Sequence, residues 1–263
     1  QGGVITNLTL TGTTLGGSNH VAGVLTVGNS TVNGPLTMEA GAVLNTWGTL
    51  GGPVVVAPGA VLNWYDGSIG TWLWVQSNGV VNLLSASGKD MNGPLTNAGT
   101  VRMSGSFRPT QNNRVVNQAG ALWDIQDNSA MGLYWGGESF LNEGVLRKSG
   151  GGGITASAPI LLNRGAVEVL SGTLQFGGGG QLDGTFHAAT NTAINFNGGT
   201  FTYTPPSHFE GPGQYRLTGG TLAGLSEVIP NLQLLGGTVT LAPTFQGGVI
   251  TNLTLTGTTL GGS

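Results

Sequence analysis

The sequence contains no cysteine, so no disulfide holds it and no thiolate is available for catalysis or metal binding. Charge is nearly as scarce. Asp, Glu, Lys and Arg together make up 7%, against about 25% in ordinary soluble domains. The net charge is −3, which gives no basic footprint for nucleic acid. Proline is limited to 11 residues and no G-X-Y period runs through the chain, which excludes collagen. No apolar run reaches transmembrane length, so membrane insertion by this segment is not expected. No signal peptide is recognisable; an export signal would lie upstream or have been removed. Helical periodicity is missing throughout.

What is present is glycine, 50 residues of it, with abundant Thr, Asn and Ser. These replace Lys and Glu as the solvating residues, as on a rigid β protein with many turns. Short aliphatic and β-branched runs alternate with polar residues, for example Val24–Val27, Val54–Val56, Ala166–Val169 and Thr238–Leu241. Turns such as Asn33-Gly34-Pro35 and Asn92-Gly93-Pro94 punctuate them.

The termini carry a repeat. Gln1–Ser18 reads QGGVITNLTLTGTTLGGS, and Gln246–Ser263 repeats it letter for letter. The unit is therefore 1–245, and 246–263 starts the next copy. A window on a tandem array and a duplicated terminal cap both give this pattern; the Gln at position 1 favours the array.

A shorter, degenerate repeat lies inside the long one. Asn97, Asn117, Asn142 and Asn163 each end an apolar run and precede a glycine and a second run. They stand 20, 25 and 21 residues apart, a spacing that suits one coil of a solenoid. Stacked coils place like residue on like residue, so these asparagines are expected to form an amide ladder at a corner. The following glycines are expected to supply an unusual φ/ψ. The sequence thus predicts an all-β fold, a right-handed parallel β-helix (β-solenoid) of about a dozen coils with uncapped ends. At roughly 4.8 Å per coil, one unit rises about 55–60 Å. The stretch from Thr190 to Gln214, with Pro205-Pro206, fits the pattern poorly and is expected to protrude.

NLTLTGTTLGG, the L-N-x-G-x-V runs, VEVLSGTLQFGGGGQLDGTF and LTGGTL resemble repeats of giant bacterial surface proteins, of the filamentous-haemagglutinin and autotransporter-passenger kind. The resemblance implies a secreted or cell-surface β-helix with scaffolding or adhesive roles. It brings no catalytic motif and no cofactor.

Three function classes follow. The first is a structural filament whose partner is itself, joined head to tail. Its junction residues would be Gln1, Val4, Ile5, Leu8 and Leu10, and their copies Gln246, Val249, Ile250, Leu253 and Leu255. The second is an adhesin for surface glycans. Trp47, Trp64, Trp72 and Trp74 would form its sugar platform, with Trp123, Tyr134 and Trp135 following; packing at the core or at corners is the competing explanation. The third is a polysaccharide lyase or hydrolase. The acids are scattered, however, and the nearest Asp pair, Asp124 and Asp127, reads as loop acids. Glu143 and Glu168 fall near Arg164 and Arg147, as cross-coil ion pairs would. His20, His187 and His208 lack metal-ligand spacing, the calcium-type glycine repeat occurs once at Gly177–Asp183, and Gly150–Gly153 lacks the lysine of a phosphate loop. The Thr-x-Thr pairs are too few and irregular for ice binding. No enzyme activity is expected.

Overall fold

The computed structural model describes residues 3–248 and 254–261. It is an all-β parallel solenoid of about 13 turns, with almost no helix. Each full coil lays down three short strands on three faces. The first face runs through Leu36–Met38, Val54–Val56, Leu73–Val75 and Leu95–Asn97 and on upward. The second runs through Val43–Thr46, Val61–Trp64, Val80–Leu84 and Thr100–Ser104. The third is a six-stranded sheet followed by a five-stranded one. At the base, Val4–Thr11 and Asn19–Gly28 run unbroken through the corner between the first two faces.

Two-residue alternation decides which side chains enter the coil. On the second face the inward row stacks Leu25, Leu44, Leu62, Val81, Val101, Trp123, Leu146, Val167 and Phe186 in unbroken register, and every one is fully buried. Each apolar residue therefore meets its counterpart one coil away and needs no distant partner.

The stretch from Thr190 to Gln214 is regular, contrary to the protruding loop expected there. It contributes the strands Ala193–Phe196, Thr200–Tyr203 and His208–Glu210, whose Phe196, Phe201 and Phe209 pack into the core. Pro205 and Pro206 sit in the corner between the last two strands and Pro212 follows the last one, so no ladder hydrogen bond is lost. The solenoid is instead interrupted at 126–138. There the third face keeps only a single bridging residue, Met131, between Phe107 and Ser157.

Candidate functional site

The asparagine corner forms a continuous side-chain ladder. Asn97 Nδ2 donates to Asn117 Oδ1 at 2.8 Å, Asn117 to Asn142 at 2.8 Å, and Asn142 to Asn163 at 2.7 Å. The second amide proton of the first three goes to the backbone carbonyls of Leu122, Val145 and Ala166. All four asparagines are fully buried. A buried amide without partners is costly, so the ladder is stable only as a unit. The row turns apolar at both ends, at Val75 below and Leu182 above.

The corner glycines act differently from the expectation. Gly99, Gly144 and Gly165 are not in the left-handed region; only Gly120 of that set is, at φ 81°. What requires glycine is close approach. A Cβ on Gly144 would lie 2.4 Å from the carbonyl oxygens of both Ala121 and Gln118, and one on Gly165 would lie 2.2 Å from that of Gly144. The coils pack backbone on backbone at this corner.

A second ladder escaped the sequence reading. Asn63 donates to Asn45 at 2.9 Å and Asn82 to Asn63 at 2.8 Å, on the outward side of the second face. Its signal was legible in Val43-Leu44-Asn45, Val61-Leu62-Asn63 and Val80-Val81-Asn82. The same outward row continues upward as Arg102, Asp124, Arg147, Glu168, His187 and Glu210, one residue per coil. Five charged residues, with His187 among them, are stacked here with largely alternating sign. Arg147 Nε meets Glu168 at 2.8 Å, and at the neighbouring corner Arg164 meets Glu143 at 3.8 Å. Both are the cross-coil pairs the spacing suggested.

Two lysines occupy inward positions, which composition alone gave no reason to expect. Lys89 and Lys148 are fully buried. Lys89 Nζ donates to the carbonyls of Ser85 and Ser87 at 3.0 and 2.7 Å. Lys148 Nζ donates to those of Asp127 and Gly150 at 2.8 and 2.7 Å. Burial pushes the Lys89 ammonium down to about 8, against a weaker opposing pull from Asp66 and Asp127. Each lysine plugs a turn whose carbonyls have no strand partner.

The tryptophans divide. Trp64 cannot touch a glycan. It is fully buried in the inward row between Thr46 and Leu83, with its indole N–H on the Asp66 carbonyl at 3.0 Å. Alternation along Val61–Trp64 turns it inward, whereas Trp47 lies beyond the end of its strand. Trp47 is 46% exposed and stacks on Tyr65 at 4.1 Å, so one ring face is occupied. Trp72 and Trp74 are 40% and 42% exposed and share an open depression of about 750 Å³ with Pro58, Pro94 and Gln118.

Asp124 and Asp127 both make local hydrogen bonds, while the Asp124 Oδ1 is buried without a partner among the described residues. Asp127 is spent on the Ser129 N–H and hydroxyl, at 2.8 and 2.7 Å, and Asp124 accepts from Gln126 at 3.0 Å. Among the described residues no three His, Asp or Glu converge as metal ligands, and no helix is long and apolar enough to cross a membrane.

The two copies of the terminal peptide differ in structure within this chain. In the first, Val4–Thr11 is a strand paired with His20–Gly28, with Ile5 and Leu10 buried, Leu8 half-buried and Val4 exposed. In the second, Gln246 sits in a short 3-10 turn at φ 47° and Leu255 lies outside any strand. Val249, Ile250 and Leu253, like Gln1, lie outside the described residues. Among the described positions, Leu10 is buried in a strand and its copy Leu255 is 38% exposed outside one, whereas Thr259–Gly261, the copy of Thr14–Gly16, joins the ladder against Thr238–Thr240.

No protein-family model, curated protein or solved structure matches the chain. What it shares with β-helix proteins is the architecture, about 13 stacked parallel turns.

Proposed function

We propose that the chain is a unit of a structural filament, outside the cell or on its surface, that grows by stacking solenoid units head to tail. The observation that carries this reading is the recurrence of Gln1–Ser18 as Gln246–Ser263 in a fold where each coil is templated by its neighbour. A second copy followed by another Asn19–Gly28 would find the partner that orders the first. The parallel backbone pairing and the inward apolar rows then continue across the junction with no new interface chemistry. The partner is the protein itself, and the role is scaffolding and not catalysis.

The test compares the 263-residue chain with one in which residues 19–263 are appended after Ser263. Electron microscopy and small-angle scattering should show rigid rods, the longer one extended by about 60 Å at roughly 4.8 Å per coil. Two short rods joined by a hinge would refute the stacking reading. Surface exposure of the filament is checked by protease shaving of intact source cells.

A second reading, adhesion to glycans, is favoured by the depression shared by Trp72 and Trp74. Loss of glycan retention in Trp72→Ala and Trp74→Ala would support it; no retention by the parent chain would remove it.

A further inference from the structure

The interruption at 126–138 breaks the coil pattern, and it carries the two most exposed aromatic rings of the described residues. Tyr134 and Trp135 are 59% and 66% exposed, adjacent, with centroids 5.4 Å apart and planes tilted by 53°. Surface rings of this size, held side by side, are unusual on a monomer surface and mark contact sites.

The loop is built to hold them. Glu138 is fully buried, and its carboxylate accepts the backbone N–H groups of Trp135 and Gly136 at 2.9 and 2.7 Å. Burial pushes this carboxyl up, but the backbone N–H groups outweigh it and hold it below the ordinary glutamate range. Arg108 braces the loop from below. Its guanidinium lies 5.2 Å from the Tyr134 ring centre while pairing with both oxygens of Asp90, at 2.7 and 2.9 Å. The facing turn is strained: Gln111 and Asn112 both have positive φ, 57° and 56°. A Cβ on Gly137 would lie 2.5 Å from Asn112 Oδ1, so loop and turn are fitted to one another.

Between them is a cleft of about 250 Å³, lined by Asp90, Asn92, Thr110, Gln111, Tyr134 and Trp135. That is just below the roughly 300–1,000 Å³ of drug-sized pockets, room for one ring-sized ligand. Thr110 Oγ1 donates to Asn92 Oδ1 at 2.7 Å, which leaves the Asn92 amide N–H groups without a partner among the described residues. Gln111 is exposed and also lines the cleft. The one charged side chain of the lining, Asp90, is neutralised by Arg108.

We propose that this cleft binds a terminal pyranose residue of a neutral glycan. The C–H face of the sugar stacks on Trp135 and Tyr134, and its hydroxyls meet the amides of Asn92 and Gln111. The tilt between the rings rules out a flat platform for an extended chain and leaves an angle that suits a single ring. The paired Asp90 and Arg108 offer nothing to an anionic sugar. The site is independent of whether units stack, and it lies apart from Trp72 and Trp74.

The chain has six tryptophans, hence six indole N–H resonances. Titration of the full chain with the methyl glycosides of glucose, galactose, mannose and N-acetylglucosamine should move the Trp135 resonance saturably for at least one of them, in the millimolar range. Trp135→Ala, and separately Gln111→Ala, should weaken that binding about tenfold or more, with Trp74→Ala unchanged. Both side chains are exposed, so the remaining indole resonances report an intact fold. A Trp135 signal unmoved by all four sugars overturns the proposal. So does binding that survives in Trp135→Ala, or shifts confined to Trp72 and Trp74.

Discussion

Replacing Asn142 by alanine tests whether the buried ladder behaves as a unit. The Asn142 side chain donates to Asn163 Oδ1 and to the Ala166 carbonyl and accepts from Asn117 Nδ2, so three hydrogen bonds vanish together. At about 1 kcal/mol each, that is about 3 kcal/mol. The partners are fully buried, and an Asn163 oxygen and an Asn117 proton are left stranded, which brings the loss to roughly 3–5 kcal/mol. Replacing all four ladder asparagines by valine removes both partners of each amide–amide bond, and the same row already accepts Val75 and Leu182, although the Gly99 N–H and the Leu122, Val145 and Ala166 carbonyls lose their side-chain partners. The fourfold variant is therefore expected to lose well under four times the single Asn142→Ala. A solenoid need not unfold in one step, so the measurement is amide hydrogen exchange of Val145–Lys148 alongside urea unfolding. A single-site loss below about 1 kcal/mol, or a fourfold loss near four times the single one, would refute the reasoning.

Gly144→Ala sets a Cβ against two carbonyl oxygens of the coil below and is expected to cost about 3 kcal/mol or more, read as a drop in unfolding midpoint. Gly41→Ala, at φ 80° with open space around it, should cost only about 1–2 kcal/mol. Lys89 titrates near 10.5 when unfolded and near 8 when folded, so between those values the unfolded chain binds more protons. Stability should be lowest below pH 8 and rise towards pH 10.5 by up to about 3 kcal/mol, and Lys89→Met should flatten that rise in pH-dependent urea titrations. The Glu138 carboxyl is held below its ordinary 4.5, so its contribution is present above that pH and lost as pH falls through the folded value. Acidification, or Glu138→Gln at neutral pH, should release the Trp135 and Gly136 amides to fast exchange before the flanking strands Leu122–Ile125 and Ser139–Asn142 open.

Much of the architecture could be read before any coordinates. A chain with 7% charge, two-residue alternation and an Asn-x-Gly spacing near 20 can satisfy its backbone only by pairing each segment with the next. Local periodicity therefore dictated the coil, and the stacking of Asn97, Asn117, Asn142 and Asn163 followed from equal spacing. Side-chain facing was less accessible. Trp64 and Trp47 look alike in sequence, and a shift of one position along a strand sends one into the core and leaves the other at the surface. The pairing of Arg147 with Glu168 was legible from spacing, whereas the continuous outward row from Asn45 to Glu210 required the register of every coil.

The sequence by itself determined that this chain coils and that its unit recurs, because both are properties of periodicity along one dimension. Only the tertiary structure decided which glycines answer to backbone contact instead of φ, and that Glu138 locks Tyr134 and Trp135 over a cleft. It also decided that Leu10 lies buried in a strand while its copy Leu255 lies exposed outside any strand. Those outcomes depend on what lies one coil above or below, a neighbour some twenty residues away that no local pattern records.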